Sequence, residues 1–170
     1  MTMKKIVYIS FFLISIVTLI SCGAYSFSGG STGDAKTIQV DFFPNQAALI
    51  EPSLSQRFTE NLQDLFSSQT NLTAVKSGGD LHFEGEITSY RINPMSATAN
   101  QTAAQNRLTI TVNVRYFNRL KEKDNFEKQF SHYHDYPANS QLIGGVLDAA
   151  FDEILERITQ NIFNASVGKW

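Results

Sequence analysis

Three histidines, a set of carboxylates and several arginines are the side chains whose spacing could do chemistry. His132 and His134 stand two apart in a segment that alternates like a strand, so both point to one face. Two imidazoles can begin a metal site, but a third or fourth ligand is needed. The remaining histidine, His82, lies far away in sequence, and no metal is expected. Asp80, Glu84 and Glu86 are close together, and Glu84 and Glu86 share a strand face as acid/base pairs can. No nucleophile and no G-x-S-x-G accompanies them, so no catalytic residue is assigned and the chain is not expected to be an enzyme. Gly144-Gly145 has no G-x-G-x-x-G or Walker pattern around it and reads as a helix entrance, so no cofactor is expected.

Arg91 and Arg107 bracket a long polar stretch. If their strands pair as a hairpin, the two guanidinium groups approach each other near its tip, and guanidinium groups bind phosphates bidentately. They are the candidate ligand-binding residues, with a phosphorylated lipid as the natural ligand.

Cys22 is the one cysteine of the chain, so no internal disulfide can form. Ahead of it Lys4 and Lys5 make a positive start. The uncharged run 6–20 follows, shorter than the roughly 20 residues a spanning helix requires. This is the pattern of a secretory signal over residues 1–21. The run ends in Leu19-Ile20-Ser21-Cys22, which resembles the lipobox of bacterial lipoproteins. Cys22 is therefore the expected lipidation site and first mature residue, with acyl chains holding the protein on a membrane. Gly23, rather than an aspartate, follows it, which favours the outer membrane and a periplasm-facing domain.

Without Lys4 and Lys5 the mature chain has 12 basic and 16 acidic residues, a net charge near −4. That excludes nucleic-acid binding by bulk charge. Apolar residues make up 42%, with 13 phenylalanines, enough for one folded domain. Residues 22–35, rich in Gly and Ser, read as a tether, and 36–170 as a single domain.

Alternation predicts strands over 37–43, 72–75, 81–92, 107–117 and 126–136. Leu54, Phe58, Leu62, Leu65 and Phe66 fall on one face of a helix that Ser53 can cap. Ile143, Leu147, Phe151, Ile154, Ile158 and Ile162 stripe a second helix over 142–166. Residues 93–106, beginning before Pro94, lack periodicity and read as a long loop. The expected fold class is α+β: an antiparallel four- to five-stranded sheet with both amphipathic helices on one face.

Several stretches together carry a family resemblance: Cys22-Gly23-Ala24-Tyr25 after the lipobox, Val40-Asp41-Phe42-Phe43-Pro44-Asn45, Pro52-Ser53-Leu54, Gly79-Asp80-Leu81-His82-Phe83-Glu84-Gly85 and Asn106-Arg107-Leu108-Thr109-Ile110. The chain resembles the lipopolysaccharide-assembly lipoprotein LptE family. The resemblance implies two helices against a four-stranded sheet, direct contact with lipopolysaccharide, and a plug-like role beside a large outer-membrane β-barrel (LptD-like) that inserts lipopolysaccharide. It supplies no catalytic motif, so Arg91 and Arg107 rest on position and charge alone. The alternative expectation is a periplasm-facing envelope lipoprotein that binds another lipid or protein ligand without catalysis.

Overall fold

A computed structural model of the chain describes residues 30–95 and 104–168. The signal segment 1–21, Cys22 and the beginning of the 22–35 stretch lie outside the described residues, as does the centre of the predicted 93–106 loop. The elements in chain order are β1 (Thr37–Val40), α1 (Leu54–Gln69), β2 (Thr73–Ala74), β3 (Leu81–Met95), β4 (Gln105–Asn118), β5 (Phe126–Pro137) and α2 (Gly145–Ser166), with a short 3-10 turn at Glu122–Asp124. The five strands form one sheet in the order β2-β1-β3-β4-β5.

The α+β class with both helices on one face holds, but the sheet is mixed rather than antiparallel. β1 runs parallel to both β2 and β3, while β3-β4-β5 is an antiparallel meander. The cause is connectivity. A tight hairpin forces antiparallel pairing, whereas a helical crossover brings the chain back to its starting end. Here α1 lies between β1 and β2.

Alternation along the strands decides which side chains reach the helices. On β4, Leu108, Ile110, Val112, Val114 and Tyr116 are buried and their neighbours are not. Leu54, Phe58, Leu62 and Phe66 of α1 and Phe151, Ile154, Ile158 and Ile162 of α2 meet them, all fully buried. The contact is largely aromatic: Phe66 stands 4.8 Å from Phe83 and 5.1 Å from Phe163, and Phe43 meets Phe58 edge-on at 5.0 Å. Such pairs add about 0.5–1.5 kcal/mol each beyond area burial. Arg57 ties the two helices at their starts, bonding Asp148 (2.6 Å) and Asp152 (3.1 Å).

Three local expectations are corrected. First, β3 runs on through Pro94 to Met95, and β4 begins at Gln105, so most of the predicted loop's flanks are hairpin. Past Ile87 the described neighbour of β3 is β4 alone, so a proline with no N–H can sit with that side facing open space. Second, α2 begins at Gly145, not 142. Gly144 has φ +53°, outside the helical region, which leaves Ile143 64% exposed and off the stripe. Third, Ser53 does not cap α1; its hydroxyl donates to Glu51 Oε1 at 3.0 Å.

At the other end of the chain the fold engages early. The Ser31 N–H donates to the Val167 carbonyl at 2.8 Å and Ala35 is buried, both ahead of the 35/36 boundary that composition marks. None of the described helices is long and apolar enough to cross a membrane.

Candidate functional site

The helices cover one face of the sheet, and the other face is an open polar surface. Its residues are the strand positions that alternate with the core. The β4 set Arg107, Thr109, Thr111, Asn113 and Arg115 lies here, flanked by β3 and β5 in a register that sets opposite charges across from each other. Such cross-strand pairs stabilise a sheet modestly while fixing its register.

Arg115 is the centre of one network. Its Nε donates to Glu84 at 2.7 Å and its Nη1 to Glu86 at 3.0 Å. The Asn113 amide nitrogen donates to Glu86 and to Glu127, both at 2.9 Å. The Asn113 bond, aided by Arg115, holds the Glu86 carboxyl below its usual range, and the Glu84 bond raises the Arg115 guanidinium further. Glu84 and Glu86 do share a face, but both are spent on Arg115 rather than poised as acid and base.

A second network lies nearer the hairpin. Arg107 donates to both oxygens of Asp135 at 2.7 Å, and its guanidinium lies 3.6 Å from the centroid of the Tyr133 ring. Between the networks Thr111 donates to Ser131 at 2.9 Å.

The two candidate arginines share this face but not one state. A register shift between Ile87 and Ser89 reverses the alternation of β3, turning Tyr90 and Ile92 toward the helix side and Arg91 outward. Arg91 pairs with Thr109, and Arg107 with Asn93, so the arginines are diagonal neighbours, the approach expected of a hairpin. Arg91 is exposed, and its side chain makes no hydrogen bond or ion pair with any described residue. Arg107 is already held by Asp135 and Tyr133. Sequence reading missed those two partners because Asp135 lies 28 residues on, and only the β4-β5 register brings it opposite.

The histidines separate. His132 and His134 point to the helix side, where His134 Nδ1 lies 2.7 Å from Glu153 Oε2 on α2. His82 is on the open face, 2.8 Å from Asp41 and stacked on Phe117 at 5.7 Å. Ligand atoms of Asp41, His82 and Glu84 lie within 4.8 Å of one another, close enough for three groups to share a metal ion. Protein donors already occupy them: Gln39 and His82 bond the two Asp41 oxygens, and Arg115 holds Glu84. The group therefore reads as a closed polar network. Among the described residues the side-chain hydrogen-bond partners of the histidines are Gln39, Asp41 and Glu153, and no hydroxyl or thiol is among them.

The fold is shared with solved structures of low sequence identity. Protein CT253 from Chlamydia trachomatis superposes with a TM-score of 0.51 at 13% identity, covering 78% of this chain and 98% of that one. Protein XCC0632 from Xanthomonas campestris gives 0.52 at 12%, covering 79% and 84%. No curated protein sequence matches significantly. The family model of lipopolysaccharide-assembly LptE matches residues 35–166, from the buried Ala35 to the last residue of α2. Since that match takes in both helices and the whole sheet, this chain belongs to the lipopolysaccharide-assembly LptE family.

Proposed function

We propose that this chain is an outer-membrane lipoprotein, anchored through acylated Cys22 and facing the periplasm, that partners a β-barrel translocon in inserting lipopolysaccharide. It acts there as a plug and lipopolysaccharide-binding subunit and performs no catalysis. Family membership supports the pathway, and the open sheet face is the observation that carries the plug role. That face is a mosaic of paired charges and hydroxyls, the surface suited to the polar interior of a large barrel. Within it Arg91 is the guanidinium with no described partner, so it is the residue proposed to meet a lipid A phosphate, with Arg107 as its ordered neighbour.

The test is photo-crosslinking in growing cells from Gln129 and Ser131, both exposed on β5. An adduct with an outer-membrane barrel is the expected product. Adducts confined to other envelope proteins would sink the plug role and favour a lipoprotein serving a different lipid or protein ligand. Labelling with radioactive palmitate tests the anchor: wild type takes up label and Cys22→Ala does not.

A further inference from the structure

The described chain enters its domain at the end of the sheet where β4 turns into β5. The Ser31 N–H is fixed to the Val167 carbonyl, and a Cβ on Gly30 would stand 2.9 Å from both the Phe163 and Val167 side chains. Ser31, Thr32 and Gly33 line one cavity of about 130 Å³ together with Asn118, Lys121 and Asp124 of the turn. Entry point and turn are therefore side by side. Cys22 precedes Gly30 by eight residues, a reach of at most about 28 Å.

The turn holds its apolar residue outward. Asn118 Oδ1 accepts the N–H groups of Leu120 and Lys121, both at 3.0 Å, and the Asn118 N–H donates to Asn125 Oδ1 at 2.7 Å. Lys121 closes on Asp124 at 2.9 Å. On this braced turn Leu120 is 56% exposed, and Phe117 just before it is 38% exposed. Around Leu120 stand Arg119, Lys121 and Lys123, interleaved with Glu122 and Asp124; Asp124 pairs with Lys121. Beside them a cleft of about 280 Å³ opens between Phe117 and Phe126. Exposed apolar side chains flanked by basic residues, here Arg119 and Lys123, suit an interfacial membrane contact. The β3-β4 hairpin is the far end of the sheet, about 45 Å away along β3 at the usual rise per residue.

We propose that the β4-β5 turn is a second contact with the membrane that bears the anchor. Leu120 and Phe117 enter the headgroup layer of that leaflet, and Arg119 and Lys123 lie against phospholipid phosphates. The domain then stands with its β3-β4 hairpin and Arg91 directed away from that bilayer surface. This rests on the reading of Cys22 as the lipid-bearing residue, and short chain reach is what selects phospholipid over a protein as the occupant.

The experiment uses the full-length purified protein in vesicles of phosphatidylethanolamine and phosphatidylglycerol. Trp170→Phe removes the native tryptophan, and Leu120→Trp or Ile143→Trp installs a reporter at one end or the other. The expected result is a blue-shifted Leu120→Trp emission that brominated acyl chains quench, with Ile143→Trp water-like and unquenched. Adding Arg119→Glu and Lys123→Glu to Leu120→Trp should abolish the quenching while the protein still sediments with the vesicles. A water-like Leu120→Trp on protein that carries palmitate overturns the inference and leaves the anchor standing. Quenching at Ile143→Trp instead overturns the orientation. Absence of palmitate defeats the anchor reading separately, and the reporter is read in that case too: quenching supports the contact, and no quenching rejects it.

Discussion

Arg107 grips Asp135 across the β4-β5 ladder through two parallel hydrogen bonds of 2.7 Å, with Tyr133 packed against its planar face. Arg91, its diagonal neighbour, has no such partner among the described residues, and this difference separates two residues of the same type and nearly the same place.

Arg107→Ala is therefore expected to lower the melting temperature slightly, because it frees Asp135 and uncovers Tyr133, while Arg91→Ala leaves it unchanged. For binding of purified lipopolysaccharide at low salt the order reverses: Arg91→Glu weakens it most. High salt weakens the wild type as well. Equal binding by wild type and Arg91→Glu would remove Arg91 from the site.

Gly85→Ala is expected to be strongly destabilising although it adds one methyl group. The new Cβ would collide with the backbone carbonyl of Asn113 on β4 and stand 2.6 Å from the Phe43 ring. The carbonyl belongs to the ladder and cannot swing away, so the cost is about 1–3 kcal/mol or more. A drop of that size in urea unfolding is the check; an unchanged midpoint would show that the sheet relaxes there.

Ile154→Asp places a carboxylate where a fully buried side chain now packs between α2 and the sheet. An uncompensated buried charge costs about 3–5 kcal/mol, against a typical total stability of about 5–15. Circular dichroism should show a largely unfolded or molten chain at room temperature. By contrast Ile143→Asp, on the exposed residue before α2, should melt like wild type.

Stability should fall at both extremes of pH. Arg107 holds the Asp135 carboxyl below its usual range, and the Lys36 and Thr37 groups that bond Asp80 do the same there. The unfolded chain takes up those protons first as pH falls. The stabilisation is therefore complete above about pH 4, the unfolded carboxylate value, and is lost below it as the folded values are passed. At the alkaline end burial pushes Tyr90 and Tyr116 up to about 12. The unfolded chain then loses its phenolic protons first, and stability drains away from about pH 10 upward. Urea midpoints across pH check this, and Asp135→Asn should flatten the acid limb.

Much of the fold was written in local sequence because it depends on period. The alternation of Leu108 through Tyr116 marks a strand whose faces differ, and the spacing of Leu54, Phe58, Leu62 and Phe66 marks a helix with one buried side. Burial of one face follows directly from those patterns, so the layer arrangement of helices on one side of a sheet was legible too. What local pattern cannot carry is pairing. The parallel placement of β1 against β2 and β3 comes from the crossover through α1, not from any residue in β1. The register shift after Ile87 inserts an extra residue and reverses the alternation of β3, so only the β3-β4 ladder shows that Arg91 faces outward while Tyr90 faces in. The same holds for Arg107. Its charge and neighbourhood were plain in sequence, but whether a guanidinium is free for a ligand depends on what lies opposite, and Asp135 reaches it only through the register of two long strands. Residue type and period set the elements and their faces; hydrogen bonding between distant segments decided which charge was spent and which was left open.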